Sequence, residues 1–97
     1  MLYALLCKDK PGSLELRMQT RPPHVEYLTG LNEAGKLKMA GPLLDDDGKP
    51  CGSLLIVEAD DKAGAKALSE GDPYAKAGLF ETVEVRGFNW TFNAPAA

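Results

Sequence analysis

Two stretches of this chain carry no polar face. Leu2-Tyr3-Ala4-Leu5-Leu6-Cys7, and Leu54-Leu55-Ile56-Val57 within a run from Ser53 to Ala59, are apolar at almost every position. Successive strand residues point to opposite faces, so an apolar run without alternation reads as a strand buried on both sides. Such strands belong at the centre of a sheet. Two further segments alternate. Leu37, Met39 and Gly41 are interleaved with Lys36, Lys38 and Ala40; Val83 and Val85 are interleaved with Thr82, Glu84 and Arg86 in a last strand spanning Phe80 to Phe92. That is the pattern of half-buried strands, which fit the edges.

The intervening segments read as helices. Lys8 to Gly12 is a turn, and Ser13 is a candidate N-cap for a helix that begins at Leu14. Pro22-Pro23 removes two backbone donors, so the helix is expected to kink or restart there, with Thr20 as the second cap. Val25, Leu28, Leu31 and Ala34 then recur at helical spacing, and Gly35 ends the run. Asp45 to Pro50 is a polar hairpin connection. Asp60 or Asp61 caps a short second helix with Ala63, Ala67 and Leu68 inward; Gly71-Asp72-Pro73 breaks it, and Tyr74 to Gly78 forms one more helical turn. The order β-α-β-β-α-β is the split βαβ plan of ferredoxin-like α+β folds, a four-stranded antiparallel sheet ordered 4-1-3-2 with two helices on one face. At 97 residues the chain is one domain over 1–97, with a flexible tail over about 93–97.

Two short helices cover one face of such a sheet. The other face would carry alternate residues of the first and third strands, an apolar patch larger than monomers usually expose. The expected solution is a homodimer whose sheets meet face to face, as in dimeric α+β barrels.

Several function classes are excluded. A net charge of −3 and the lack of an aromatic RNA-binding signature argue against a nucleic-acid partner. No apolar run approaches the roughly 20 residues that span a bilayer. The apolar N-terminal segment is too short and wrongly flanked for a signal peptide, so a cytoplasmic protein with Cys7 and Cys51 reduced is expected. A single histidine excludes zinc sites built on several imidazoles, and Asp45-Asp46-Asp47 lacks the spacing of a calcium loop; no metal is expected. Neither a P-loop, a dinucleotide fingerprint nor a nucleophile elbow is present.

The candidates for chemistry are few. His24 shares a helix face with Leu28 and Leu31 and points toward the sheet; on pattern alone it reads equally as a core-edge histidine. Asp72 is its candidate partner, with a turn or cap residue as the plain alternative. Arg17 and Arg21, four residues apart, suit a carboxylate or phenolate ligand, or form a solvated helix face. Gly41-Pro42 ends the second strand, and Tyr74 offers a phenolic hydrogen bond or a packed ring.

Arg21-Pro22-Pro23-His24, Ala40-Gly41-Pro42-Leu43, and Asp72-Pro73-Tyr74 followed by Ala77-Gly78-Leu79-Phe80 together resemble the YCII family of YciI-like proteins, in the family's order. The resemblance runs from Leu2-Tyr3 to Asn89-Trp90; Pro23 departs from it, standing where a small non-proline residue is common. It implies a ferredoxin-like fold, dimers of the α+β barrel type, and an enzyme with a His and an Asp in a cleft between the first helix and the sheet. The motif histidine falls on His24, the aspartate on Asp72, the arginine on Arg21 and the glycine on Gly41. The implied chemistry is lyase-like, including dehydrochlorination of hydroxylated rings. General acid–base catalysis fits these residues: Asp72 fixes the His24 tautomer, His24 takes a proton from a small substrate, and Arg21 or Arg17 holds the resulting anion. Gly41 would let substrate approach the strand backbone. The scheme requires no cofactor. The competing readings are a non-catalytic dimeric module that binds a small ligand or partner, and a haem barrel with His24 as axial ligand.

Overall fold

The strand β1 (Leu2–Asp9) lies between β3 (Pro50–Glu58) and β4 (Phe80–Phe88), and β2 (Leu37–Leu44) completes the sheet beyond β3. The computed structural model describes residues 1–95; Ala96 and Ala97, part of the expected tail, lie outside the described residues. All three pairings are antiparallel, in the order β2-β3-β1-β4, so the two strands without alternation are the central pair. This is the ferredoxin-like α+β arrangement.

Tyr3, Leu5 and Cys7 of β1 stand beside Leu55, Val57 and Val85 on one face, where Ala65, Leu28, Leu37, Leu68 and Phe80 pack against them. Leu28 comes from the long helix α1 (Leu14–Glu33), and Ala65 and Leu68 from α2 (Lys62–Glu70). The opposite face presents Leu2, Ala4, Leu6 and Leu54, each partly exposed, flanked by exposed Met39, Leu43 and Phe88. Leu2, Leu6 and Leu54 are therefore less than fully buried within one chain.

Four local expectations are overturned or met only in part. First, α1 runs through Pro22 and Pro23 without a restart, and Thr20 is an interior residue. The prolines deprive the carbonyls of Met18 and Gln19 of their donors, but those residues and both prolines are on the exposed side, where water replaces the lost bonds. Second, Ser13 holds the N-cap position of α1 as expected but makes no side-chain bond there; Asp61, one of the two caps expected for α2, does, accepting from Gly64 N. Third, the pairing of β2 with β3 shifts register between Leu37 and Met39. This bulge puts Leu37 on the helix side with Val57 and Met39 on the open side with Ile56, so the two do not share a face. Fourth, the buried residues of α2 are Ala65 and Ser69, with Ala63 and Ala67 exposed, and β4 stops at Phe88 rather than Phe92.

The break after α2 is tied closely to α1. Tyr27 Oη donates to Leu68 O at 2.6 Å, and a Cβ on Gly71 would stand only 2.7 Å from Tyr27 Oη. A glycine at 71 thus permits the approach that brings the next residue, Asp72, against the middle of α1.

Candidate active site

Asp72 precedes the single-turn helix α3 (Pro73–Lys76) as its N-cap, and its Oδ1 accepts from Tyr74 N at 2.9 Å. Aspartate at the cap and proline in the first turn are the residue types that start a helix most readily, which explains the local sequence. The same carboxylate faces His24: Nδ1 stands 2.8 Å from Oδ1 and 3.0 Å from Oδ2. Both side chains are buried, at 2% and 8% residue exposure. A carboxylate oxygen accepts, so Nδ1 is the nitrogen that donates, and Nε2 is the nitrogen left unengaged on a side chain that lines the adjoining cavity. Among the described residues nothing bonds Nε2.

The imidazole lies flat on the Tyr74 ring, with centroids 3.8 Å apart and planes 14° from parallel. Arg17 covers the same phenol ring, its guanidinium carbon 4.7 Å from the centroid, and Phe80 meets it edge-on at 6.1 Å. Burial raises the Tyr74 phenol above its ordinary value, partly offset by Arg17 and Arg21. Tyr74 is therefore a neutral packed ring near neutrality.

Arg17 and His24 are seven residues apart, two turns of α1, and both turn to the sheet. Arg17 Nε lies 3.2 Å from Asp9 Oδ2 in a buried ion pair, but the pair is not aligned as a hydrogen bond, and both Asp9 oxygens lack a hydrogen-bond partner. Burial raises the Asp9 carboxyl and Arg17 counteracts it. The other end of the guanidinium is held by β3: Nη1 donates to Ser53 Oγ at 3.2 Å, and Nη2 donates to Ser53 Oγ and to the carbonyl of Gly52.

These groups wall a cavity of about 310 Å³ between α1 and the β2–β3 side of the sheet. Arg17, Arg21, His24, Gly41, Pro42 and Tyr74 all line it, and Asp72 stands behind His24. Every candidate from the sequence is thus in or beside one cavity. The two arginines differ in setting: Arg17 is buried and anchored, whereas Arg21 is exposed and, among the described residues, makes no hydrogen bond or ion pair. Gly41 requires a correction. It pairs with Leu54, whose side chain is on the open sheet face, so a side chain at 41 would point away from the cavity; a Cβ there would meet nothing within 4 Å. The cavity meets the Gly41 backbone, whereas Ala40 and Pro42 share the helix-side face with Leu55 and Ser53.

Asp9, Gly52 and Ser53 were absent from the sequence candidates. A signal for Asp9 existed: it continues the buried alternation of Tyr3, Leu5 and Cys7, where a carboxylate needs a cation within reach. Among the described residues, no three His, Cys, Asp or Glu side chains converge as metal ligands, and no helix is long and apolar enough to cross a membrane.

The YCII-related domain matches residues 1–89. The chain belongs to this family. It is 38% identical over 98 residues to protein YciI of Escherichia coli O6:H1, covering 95% of this chain and all of that one. Its structure matches the 5-chloro-2-hydroxyhydroquinone dehydrochlorinase TftG of Burkholderia phenoliruptrix AC1100, solved in complex with 2,5-dihydroxybenzoquinone, with a TM-score of 0.82 and 36% identity over 92% of this chain and 94% of that chain. A protein of a benzaldehyde-derivative biosynthesis cluster in Emericella nidulans is 36% identical over 72 residues, covering 67% of this chain and 74% of that one. The fold shared with its structural neighbours is that of the dimeric α+β barrel proteins.

One feature of this YCII chain bears on how it is handled. Cys7 lies in the core behind the cavity, and burial, with Asp72 and Asp9 nearby, pushes its thiol up to about 12 despite Arg17. Only a thiolate alkylates readily. Iodoacetamide at mildly alkaline pH is expected to add one carbamidomethyl group to the native chain, on exposed Cys51, and two after denaturation. Peptide mass mapping reads both; modification of native Cys7 would contradict the burial.

Proposed function

We propose that this YCII protein is a cytoplasmic homodimeric enzyme performing lyase-like acid–base chemistry on a small hydroxylated or anionic substrate. In this reading His24 is the base and Asp72 its orienting partner. The observation that carries it is the polarity of the imidazole: Nδ1 is engaged by a buried carboxylate at 2.8 Å while Nε2 is left unengaged on a side chain that lines the cavity. A core-edge histidine satisfied for stability alone would not need its second nitrogen at a cavity wall.

The likeness to a dehydrochlorinase supports a concrete reaction. Removal of HCl from a chlorinated hydroxyhydroquinone leaves a hydroxyquinone. Ketonisation of one ring hydroxyl puts its proton on the carbon that bears chlorine and makes the first carbonyl. A second hydroxyl then gives its proton to His24 Nε2, its electrons make the second carbonyl through the ring, and chloride departs with the C–Cl pair. The balance requires no external oxidant. Asp72 stabilises the imidazolium formed, and the arginines face the anionic ring oxygen. The open face bearing Leu2, Leu6 and Leu54 supports pairing of two copies through their sheets.

The test has two parts. Nitrogen-15 NMR of the single imidazole is expected to show the Nδ1–H tautomer in the neutral form. Asp72→Asn keeps a capping oxygen but loses the charge, and chloride release from 5-chloro-2-hydroxyhydroquinone should fall by about two to three orders of magnitude. An Nε2–H tautomer, or unchanged chloride release in Asp72→Asn, would remove the dyad.

A further inference from the structure

Three of the donors of Arg17 are accounted for by β3. A guanidinium has five N–H bonds. Nε is turned to Asp9, both hydrogens of Nη2 go to Gly52 O and Ser53 Oγ, and one hydrogen of Nη1 goes to Ser53 Oγ. Two N–H bonds remain, one on Nη1 and the one on Nε, which faces Asp9 without hydrogen-bond alignment. A carboxylate held in the usual parallel fork needs two neighbouring donors, and each such pair includes Nη2. With both Nη2 hydrogens committed to β3, Arg17 cannot form that fork.

Ser53 supplies what is missing. Its Oγ accepts twice from the guanidinium, so its lone pairs are occupied, and among the described residues its own hydrogen donates to nothing. The residue is 3% exposed and lines the cavity. A hydroxyl whose oxygen accepts from a cation is a stronger donor than a free one, because successive hydrogen bonds polarise each other. Buried hydroxyl hydrogens are seldom left without an acceptor. Arg17 itself is held by the Asp9 ion pair at 3.2 Å, so the pair of donors is fixed before any ligand arrives.

We propose that Ser53 is a ligand-binding residue, and that its hydroxyl and the remaining Nη1–H of Arg17 form a two-donor seat for a single anionic oxygen of the phenolate or enolate type, in preference to a carboxylate. This deepens the function proposed above and rests on the same cavity being the substrate site. It divides the labour between walls: His24 from the α1 side takes the proton, and the seat on β3 holds the oxygen that keeps the charge.

Equilibrium binding separates this inference from the catalytic one. The probes are 4-nitrophenolate and 4-nitrobenzoate, which differ only in the anionic head, measured by calorimetry at mildly alkaline pH on the intact protein. The expected result is roughly tenfold or tighter binding of the phenolate, and loss of that preference in Ser53→Ala, in line with a hydrogen bond to a charged group. Equal or tighter benzoate binding by the wild type overturns the proposal, as does failure of either probe to bind. So does an undiminished phenolate preference in a folded Ser53→Ala. The wild-type ranking stands even if that variant does not fold. Binding preference without chloride release would refute the dehydrochlorinase reading and leave the seat intact; chloride release with no phenolate preference would do the reverse.

Discussion

His24→Gln is expected to lower chloride release about a thousandfold, within the range for loss of a general base. Glutamine is close in size and uncharged, but its amide matches the position of Nε2 rather than of the Nδ1 that faces Asp72, so the buried carboxylate loses its nearest side-chain donor. What glutamine cannot do is accept a proton near neutrality. The loss should therefore fall on kcat, with KM changed little, because the arginines and the β3 wall still face the ligand. One control sharpens the result. The stacking of the imidazole on Tyr74 at 3.8 Å contributes to packing, so thermal stability must be measured beside activity. A variant that melts like the wild type and retains chloride release would show His24 to be a packed core residue and end the acid–base reading.

Gly52→Ala should be the most damaging methyl group that can be added to this chain. A Cβ at residue 52 would lie 2.5 Å from the carbonyl oxygen of Cys7, and that oxygen is backbone in the central strand. It cannot rotate away as a side chain would. Residue 52 is paired on both sides, with Lys8 of β1 and Leu43 of β2, so relief requires β3 to separate from one neighbour. Overpacking of this kind costs about 2–3 kcal/mol. For a domain of this length each kcal/mol lowers Tm by roughly 4–8 °C. Because the Gly52 carbonyl also accepts from Arg17, the cavity wall should shift with the strand, and binding should fall along with stability. A Gly52→Ala protein with wild-type Tm would mean that the two central strands are less tightly paired than described. Gly41→Ala is the natural comparison, since its Cβ meets nothing within 4 Å of the same chain.

The architecture was legible because it depends on alternation, and alternation is written residue by residue. The two strands without polar faces are the two central strands, and the two that alternate are the edges. Where local signals competed with tertiary packing, the reading went astray. Pro22-Pro23 looks like a break when only backbone donors are considered; it is not one, because the lost bonds fall on the wet side while Arg17, before the prolines, fastens the helix to the sheet and His24, after them, fastens it to the cap of α3. The bulge after Leu37 leaves no mark in composition, and it turns Met39, Gly41 and Leu43 to the open face although they follow Leu37 in simple alternation. Among the site residues, those with unusual chemistry stood out: the lone histidine, the Asp-Pro pair and the spaced arginines. Ser53 and Gly52 did not, because a small polar residue and a glycine in a buried strand are common, and only the arrival of Arg17 from α1 gives them a task.

Asp72 meets two demands at once, and the demands select different residues. Capping α3 needs a short side chain that can fold back on Tyr74 N, which serine, threonine, asparagine and aspartate all have. Engaging His24 as a charged acceptor needs a carboxylate, which aspartate and glutamate have, but glutamate is one methylene too long to cap from the same backbone position. The intersection of the two sets is a single amino acid. A drifting sequence can thus exchange many of the cavity-lining residues gradually, yet has no intermediate step open at position 72.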